Sequence, residues 1–140
     1  YILNGQVKIA STTKIKKFVK SHYIKYKNNK RYRLFEIKNC RMYYNKISDV
    51  AFLKNNYFLS QPSFQIKNFI HRPSKENYVF KNGTPAFKKN FNKTIFSTLY
   101  TTAASFNYWH WVLEVLPKIA ILEKSKFKNK IDFFFVSSIK

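Results

Sequence analysis

The chain is poor in cysteine, glycine, proline and acid, and each shortage removes a class of chemistry. A single cysteine, Cys40, rules out an intrachain disulfide and any cysteine-rich zinc site, and it points to a reducing compartment. With two glycines and four prolines there is no P-loop, no G-x-G-x-x-G and no G-x-S-x-G elbow, so nucleotide cradling and serine hydrolysis have no local support. The six acidic residues form no paired-carboxylate motif, and His22, His71 and His110 lie in unrelated segments, so no metal site is expected. No apolar run approaches the roughly 20 residues that a membrane-spanning helix needs. The first residues also lack the apolar core of a secretory signal.

What is present suits one domain of ordinary size: 140 residues, 45% of them hydrophobic and 19% aromatic, enough to fill a core. Formal net charge is +21, from 27 Lys and Arg against 6 Asp and Glu, a balance that suits nucleic acid, anionic membrane or polyanionic substrates. The abundance of Lys, Asn, Ile, Phe and Tyr is also the bias an A+T-rich genome leaves on any tolerant surface. The basic residues run through the whole chain, with knots at Lys14 to Lys17, Lys25 to Arg33 and Lys124 to Lys130. Because the chain opens on Tyr1 and stops at Lys140, directly after a strand-like run, it reads as a fragment of a longer protein.

The fold class expected is α/β: a β-rich amino-terminal region over 1–93, leading into an incomplete Rossmann-like β-α-β unit over 94–140. Ser48 to Leu53 and Tyr57 to Ser60, joined by Lys54-Asn55-Asn56, read as a hairpin, since Asn tolerates the left-handed conformation of a tight turn. Asn82-Gly83 predicts a second turn between strands at Tyr78-Val79-Phe80 and Ala86-Phe87, with Pro85 confining the latter to an edge. Thr13 to Lys20 fits a short helix or a strand equally. Thr94 to Tyr100 is β-branched and aromatic, a helix follows from about Tyr108 to Lys124, and Ile131 to Val136 reads as a short strand covered on both faces. Ligands of such parallel units collect beyond the carboxyl ends of the strands, here the loop from Thr101 to Phe106. Pro117 should kink the helix near Leu113.

The helix carries the chemistry. At about 100° per residue, Tyr108, Trp111, Val112, Val115, Leu116, Ile119 and Leu122 share an apolar stripe, while His110 and Glu114 form a polar seam on another edge. Such a seam on an otherwise apolar helix faces either a cleft or a buried partner. The helix dipole favours a neutral imidazole in the first turn, Glu114 favours the cation and orients the ring, and the pair can act with His110 as general base and Glu114 as its support, or with the roles reversed. The competing reading is a His–Glu pair that only satisfies itself. Asn107 is the expected N-cap, and Trp109 is the aromatic left over from the core stripe to stack on a sugar or base. Cys40, beside Arg41, is either a thiol of lowered pKa or inert filling; His71-Arg72-Pro73 is either an anion contact or a turn.

The run Asn107-Tyr108-Trp109-His110-Trp111-Val112-Leu113-Glu114-Val115-Leu116-Pro117-Lys118, followed by aliphatics and by Ile131-Asp132 with an apolar strand, resembles the signature block of glycosyltransferase family 61. The likeness is to its bacterial members in capsular polysaccharide biosynthesis, and it covers residues 94 to 136. Lys118 stands where the family has Arg, and Ala103-Ala104-Ser105-Phe106 where it often has glycines. The resemblance implies a GT-B architecture with metal-independent, inverting transfer from a nucleotide-sugar donor to a glycan or lipid-linked acceptor, and no cofactor. It implies catalytic roles for His110 and Glu114 and substrate contacts for Asn107, Trp109 and Lys118. The carboxyl-terminal donor-binding domain would be absent, so the fragment alone would be inactive. The parent would be cytoplasmic and peripheral to an anionic membrane face. The alternative from another class is a basic nucleic-acid-binding module, for which no recognised motif occurs; a third is a purely structural fragment.

Overall fold

The computed structural model describes residues 6–26, 29–45, 49–68, 70–85, 89–99 and 108–136. In chain order they form β1 (Lys8–Ile9), α1 (Thr12–Phe18), β2 (Val19–Lys25), β3 (Arg31–Ile37), β4 (Arg41–Asn45), β5 (Asp49–Lys54), β6 (Tyr57–Phe58), β7 (Phe64–Lys67) and β8 (Ile70–His71). Then come α2 (Tyr78–Asn82), β9 (Ile95–Ser97), α3 (Tyr108–His110), a π-helical turn (Trp111–Val115), α4 (Leu116–Glu123) and β10 (Phe133–Phe135). The chain is mixed α/β, mostly strand, with open sheets. It divides into two compact units, residues 1–21 with 35–89, and residues 22–34 with 90–140.

The first unit is built around β5. This strand pairs antiparallel with β4 along one side, and with β6 and β7 at its two ends on the other; β1 joins β6 in parallel and β8 joins β7. Successive residues of β5 feed two clusters alternately, as the period of a strand requires. Ala51 and Leu53 pack with Val7, Phe58 and Val79, while Phe52 packs with Ala10, Ile15, Val19 and Leu59. Phe58 and Leu59 are wholly buried, and each such side chain contributes about 1.5–3 kcal/mol.

Turn chemistry explains the strand order. Asn55 and Asn56 have φ of 49° and 61°, so the expected β5–β6 hairpin closes through a type I′ turn with Leu53 opposite Phe58. Among the described residues, every non-glycine with positive φ is an asparagine: Asn29, Asn39, Asn55, Asn56 and Asn68. In a chain with two glycines, Asn takes the left-handed positions that glycine would otherwise fill. The ambiguous segment from Thr13 becomes helix because Ser11 caps it, accepting from the Lys14 N–H at 3.3 Å, and it turns to strand at β-branched Val19.

One expectation fails here. Tyr78-Val79-Phe80 is the start of α2 and not a strand; Gly83, at φ 67°, ends the helix instead of turning a hairpin. The cause is a buried polar knot. Asn77, fully buried, caps α2 by accepting from the Val79 N–H at 3.3 Å, and its Nδ2 donates to the Phe64 carbonyl at 3.2 Å and the Val50 carbonyl at 3.4 Å. The Tyr78 N–H donates to the Asp49 carboxylate. The proposed partner strand at Ala86-Phe87 lies outside the described residues.

In the second unit β9 and β10 pair in parallel, Ile95 opposite Phe133, with the helical segment from Tyr108 to Glu123 between them in sequence. The strand–helix–strand order is therefore as expected. The covered strand is not: Phe133 and Phe134, on opposite faces of β10, are each about half exposed. Val115 and Leu122 anchor the helix at 3% and 1% exposure.

Candidate functional site

The helical segment is continuous but not uniform. Pro117 lacks the N–H that would bond one turn back, and in a regular α-helix its ring would press on the carbonyl of Leu113. The chain responds by widening the preceding turn: the Leu116 N–H bonds to the Trp111 carbonyl, five residues back, and Trp111–Val115 is π-helical. Where a kink near Leu113 is the expectation, the irregularity is a π turn, a feature that recurs at functional sites.

That turn also re-aims the amino-terminal residues. An extra residue per turn rotates positions before it by about 100° relative to those after it. Tyr108, expected on the stripe with Val115 and Leu122, is instead 74% exposed. Trp109 and Leu113 are exposed beside it, and the two aromatic rings meet edge-on at 6.2 Å. Leu116, also expected to pack, is partly exposed.

His110 closes α3 and Glu114 sits inside the π turn, with His110 Nδ1 and Glu114 Oε1 2.9 Å apart. Both side chains are partly open to solvent, His110 at 33% and Glu114 at 20%. With Glu114 as a carboxylate, Nδ1 carries the proton and donates, which leaves the lone pair on Nε2. The pair is neither sealed in hydrocarbon nor splayed apart.

One turn further on, Lys118 extends the seam. Its Nζ donates to the carbonyls of Thr98 and Leu99, both at 2.8 Å, just beyond the carboxyl end of β9. Burial pulls its pKa down from 10.5 to about 8, against the charge of Glu114, which raises it. The structure therefore brings His110, Glu114 and Lys118 onto one helical seam and leaves Trp109 on the exposed edge. Asn107, the expected N-cap, lies outside the described residues, as does the loop over 101–106.

Sequence reasoning missed how the unit is fastened. The Asp132 carboxylate accepts from the Thr94 N–H at 2.7 Å and from Lys93 Nζ at 3.5 Å, while the Asp132 N–H donates back to the Thr94 carbonyl at 2.9 Å. This clasp starts the β9–β10 pair. Its only signal in the sequence was Ile131-Asp132 ahead of an apolar run.

The remaining candidates are structural. Cys40 Sγ bonds to the Leu53 carbonyl, and burial raises its pKa from 9.0 to about 11, so it is the inert thiol of the two readings. Arg72 pairs with Glu76 at 3.1 Å in the turn after β8, and His71 is exposed. Among the described residues no group of three His, Cys, Asp or Glu could hold a metal, and no helix is long and apolar enough to cross a membrane.

No protein-family model, curated protein or solved structure matches the chain. What the seam can do follows from its own geometry. A hydroxyl brought to Nε2 of His110 can lose its proton to the ring, and Glu114 then stabilises the imidazolium.

Proposed function

We propose that this chain is the acceptor-side part of an inverting, metal-independent glycosyltransferase of the family 61 type, with a Rossmann-like β9–helix–β10 unit inside a GT-B architecture. The observation that carries the reading is the His110–Glu114 contact at 2.9 Å with both groups open to solvent. His110 Nε2 takes the proton of the acceptor hydroxyl as that oxygen attacks the anomeric carbon of a nucleotide sugar, and the nucleoside diphosphate departs with the bonding pair. Glu114 fixes the tautomer and holds the positive ring. Trp109, exposed on the neighbouring edge, offers its face to the C–H surface of an acceptor sugar. Lys118 positions the seam against the end of β9 and adds positive charge close to Glu114.

The chain's excess of Lys and Arg suits an anionic acceptor, such as a lipid diphosphate at a membrane face. The test is sugar transfer by the full protein carrying this chain, from a nucleotide sugar to a lipid-linked or glycan acceptor. His110→Ala is expected to lower turnover at least about a hundredfold, the usual contribution of a general base, with circular dichroism unchanged. Glu114→Gln is expected to lower turnover less, since the ring keeps a hydrogen-bond acceptor. Wild-type turnover in the His110 variant removes the residue from the mechanism.

A further inference from the structure

A second feature lies in the first unit, away from the helical seam in sequence. A hollow of about 210 Å³ opens beside the Asn55-Asn56 turn, lined by Gln6, Lys8, Asn55, Asn56 and Tyr57. Every lining side chain is polar or amphipathic, and none is a carboxylate. The type I′ turn fixes the two asparagines in left-handed conformations, and parallel pairing of β1 with β6 sets Lys8 opposite Tyr57. Lys14, from α1, stands with Nζ 3.5 Å from the centre of the Tyr57 ring.

The electrostatics agree with the geometry. Hydrogen bonding and charge from Lys14, with a further contribution from Lys8, lower the pKa of the Tyr57 hydroxyl below its usual 10.0, so the phenol reports a positive potential at this spot. Two ammonium groups suit a phosphate monoester, which carries close to two negative charges at neutral pH. Three carboxamides and a phenol, each both donor and acceptor, suit the hydroxyls of a sugar. The larger hollow nearby, about 460 Å³ with Val7, Ile9 and Phe80 among its lining, has an apolar floor and the wrong chemistry for a hydroxylated ligand.

We propose that the hollow at the β5–β6 turn is a binding site for a phosphorylated sugar, with Lys8 and Lys14 meeting the phosphate and Gln6, Asn55, Asn56 and Tyr57 meeting the hydroxyls. The site is independent of the chemistry proposed for His110 and would stand if that reading fell.

The test is titration of the protein with glucose 6-phosphate, inorganic phosphate and glucose, followed by ¹H–¹⁵N shifts, at about 0.15 M salt so that the diffuse charge of the chain is screened. Glucose 6-phosphate is expected to bind at least about tenfold more tightly than either fragment, a difference of about 1.4 kcal/mol, with shifts centred on Asn55 and Asn56. Lys8→Gln and Lys14→Gln are each expected to weaken it severalfold. The double variant Lys16→Gln/Lys17→Gln, which removes exposed charge from the same helix, is expected to leave it unchanged. Equal affinity for phosphate and glucose 6-phosphate, or equal loss in the Lys16/Lys17 control, would show only diffuse anion attraction and overturn the site. Shifts that bypass the turn would overturn it as well.

Discussion

The ammonium of Lys118 is held by two backbone carbonyls in a mostly buried position, and that position costs it part of its charge stability. Its pKa is about 8 in the folded chain against 10.5 as a free side chain, so between those values the unfolded chain binds more protons than the folded one. Stability contributed by this group therefore rises as pH climbs from about 8 to 10.5, and below about 8 the full cost of the buried cation is present. The effect is at most about 3 kcal/mol and is reduced by whatever solvent reaches the amine. Lys118→Met removes it. Urea midpoints of wild type and variant, measured from pH 7 to 10.5, are expected to converge or cross in favour of wild type as pH rises, while a constant difference would show that Lys118 titrates normally. The local half of this arrangement was legible: His110, Glu114 and Lys118 stand four residues apart on a helix. The other half was not, because Thr98 and Leu99 lie about twenty residues upstream and nothing in their side chains announces a role for their carbonyls.

Elements were legible where the chain's own periodicity and turn chemistry decide them, and misread where a distant partner does. The β5–β6 hairpin follows from two adjacent asparagines between apolar runs, and the helix after Tyr108 from its spacing of apolar residues. Tyr78-Val79-Phe80 has strand composition, yet Asn77 and Asp49 satisfy the first amides of a helix there; Asp49 is 29 residues away. A spacing of about 100° per residue puts Tyr108 on the apolar stripe, and the effect of Pro117 takes the form of a π turn that carries it off that stripe. The π turn that accommodates this proline yields a prediction. Pro117→Ala restores the missing N–H and relieves the ring, so the turn is expected to tighten to regular α-helix and the unit to gain up to about 3 kcal/mol. Tyr108 then rotates back toward Val115 and Leu122, and its nitration by tetranitromethane, fast at 74% exposure, is expected to slow. Unchanged nitration together with an unchanged melting temperature would mean that something other than the proline sets the turn.

Across the whole molecule the scarcity of acid is the organising electrostatic fact. Of six acidic residues among 27 basic ones, Asp49 receives the first amide of α2, Glu76 pairs with Arg72, Glu114 with His110, and Asp132 clasps the start of the β9–β10 pair. Four of the six acids in so basic a chain thus fasten elements or belong to the candidate site. Asp132 makes the general point testable. The Thr94 N–H, helped by Lys93, holds its carboxyl below the usual 3.8, so the folded chain binds fewer protons than the unfolded one around that pH. The stability it lends is fully present above about pH 4–5 and is lost as pH falls through its folded value. Asp132→Asn keeps an acceptor for the amide and removes the charge. The variant is therefore expected to be less stable than wild type at pH 7 and equal to it near pH 2, in urea titrations monitored by tryptophan fluorescence, since Trp109 and Trp111 both belong to this unit. Added salt separates the local clasp from the general repulsion of a chain at +21: screening raises both proteins together at low pH, but it leaves a difference between them at neutral pH that comes from the negative charge on the acceptor of the Thr94 N–H, too close to be screened. A gap that persisted undiminished at pH 2 would place the role of Asp132 in packing and not in its charge.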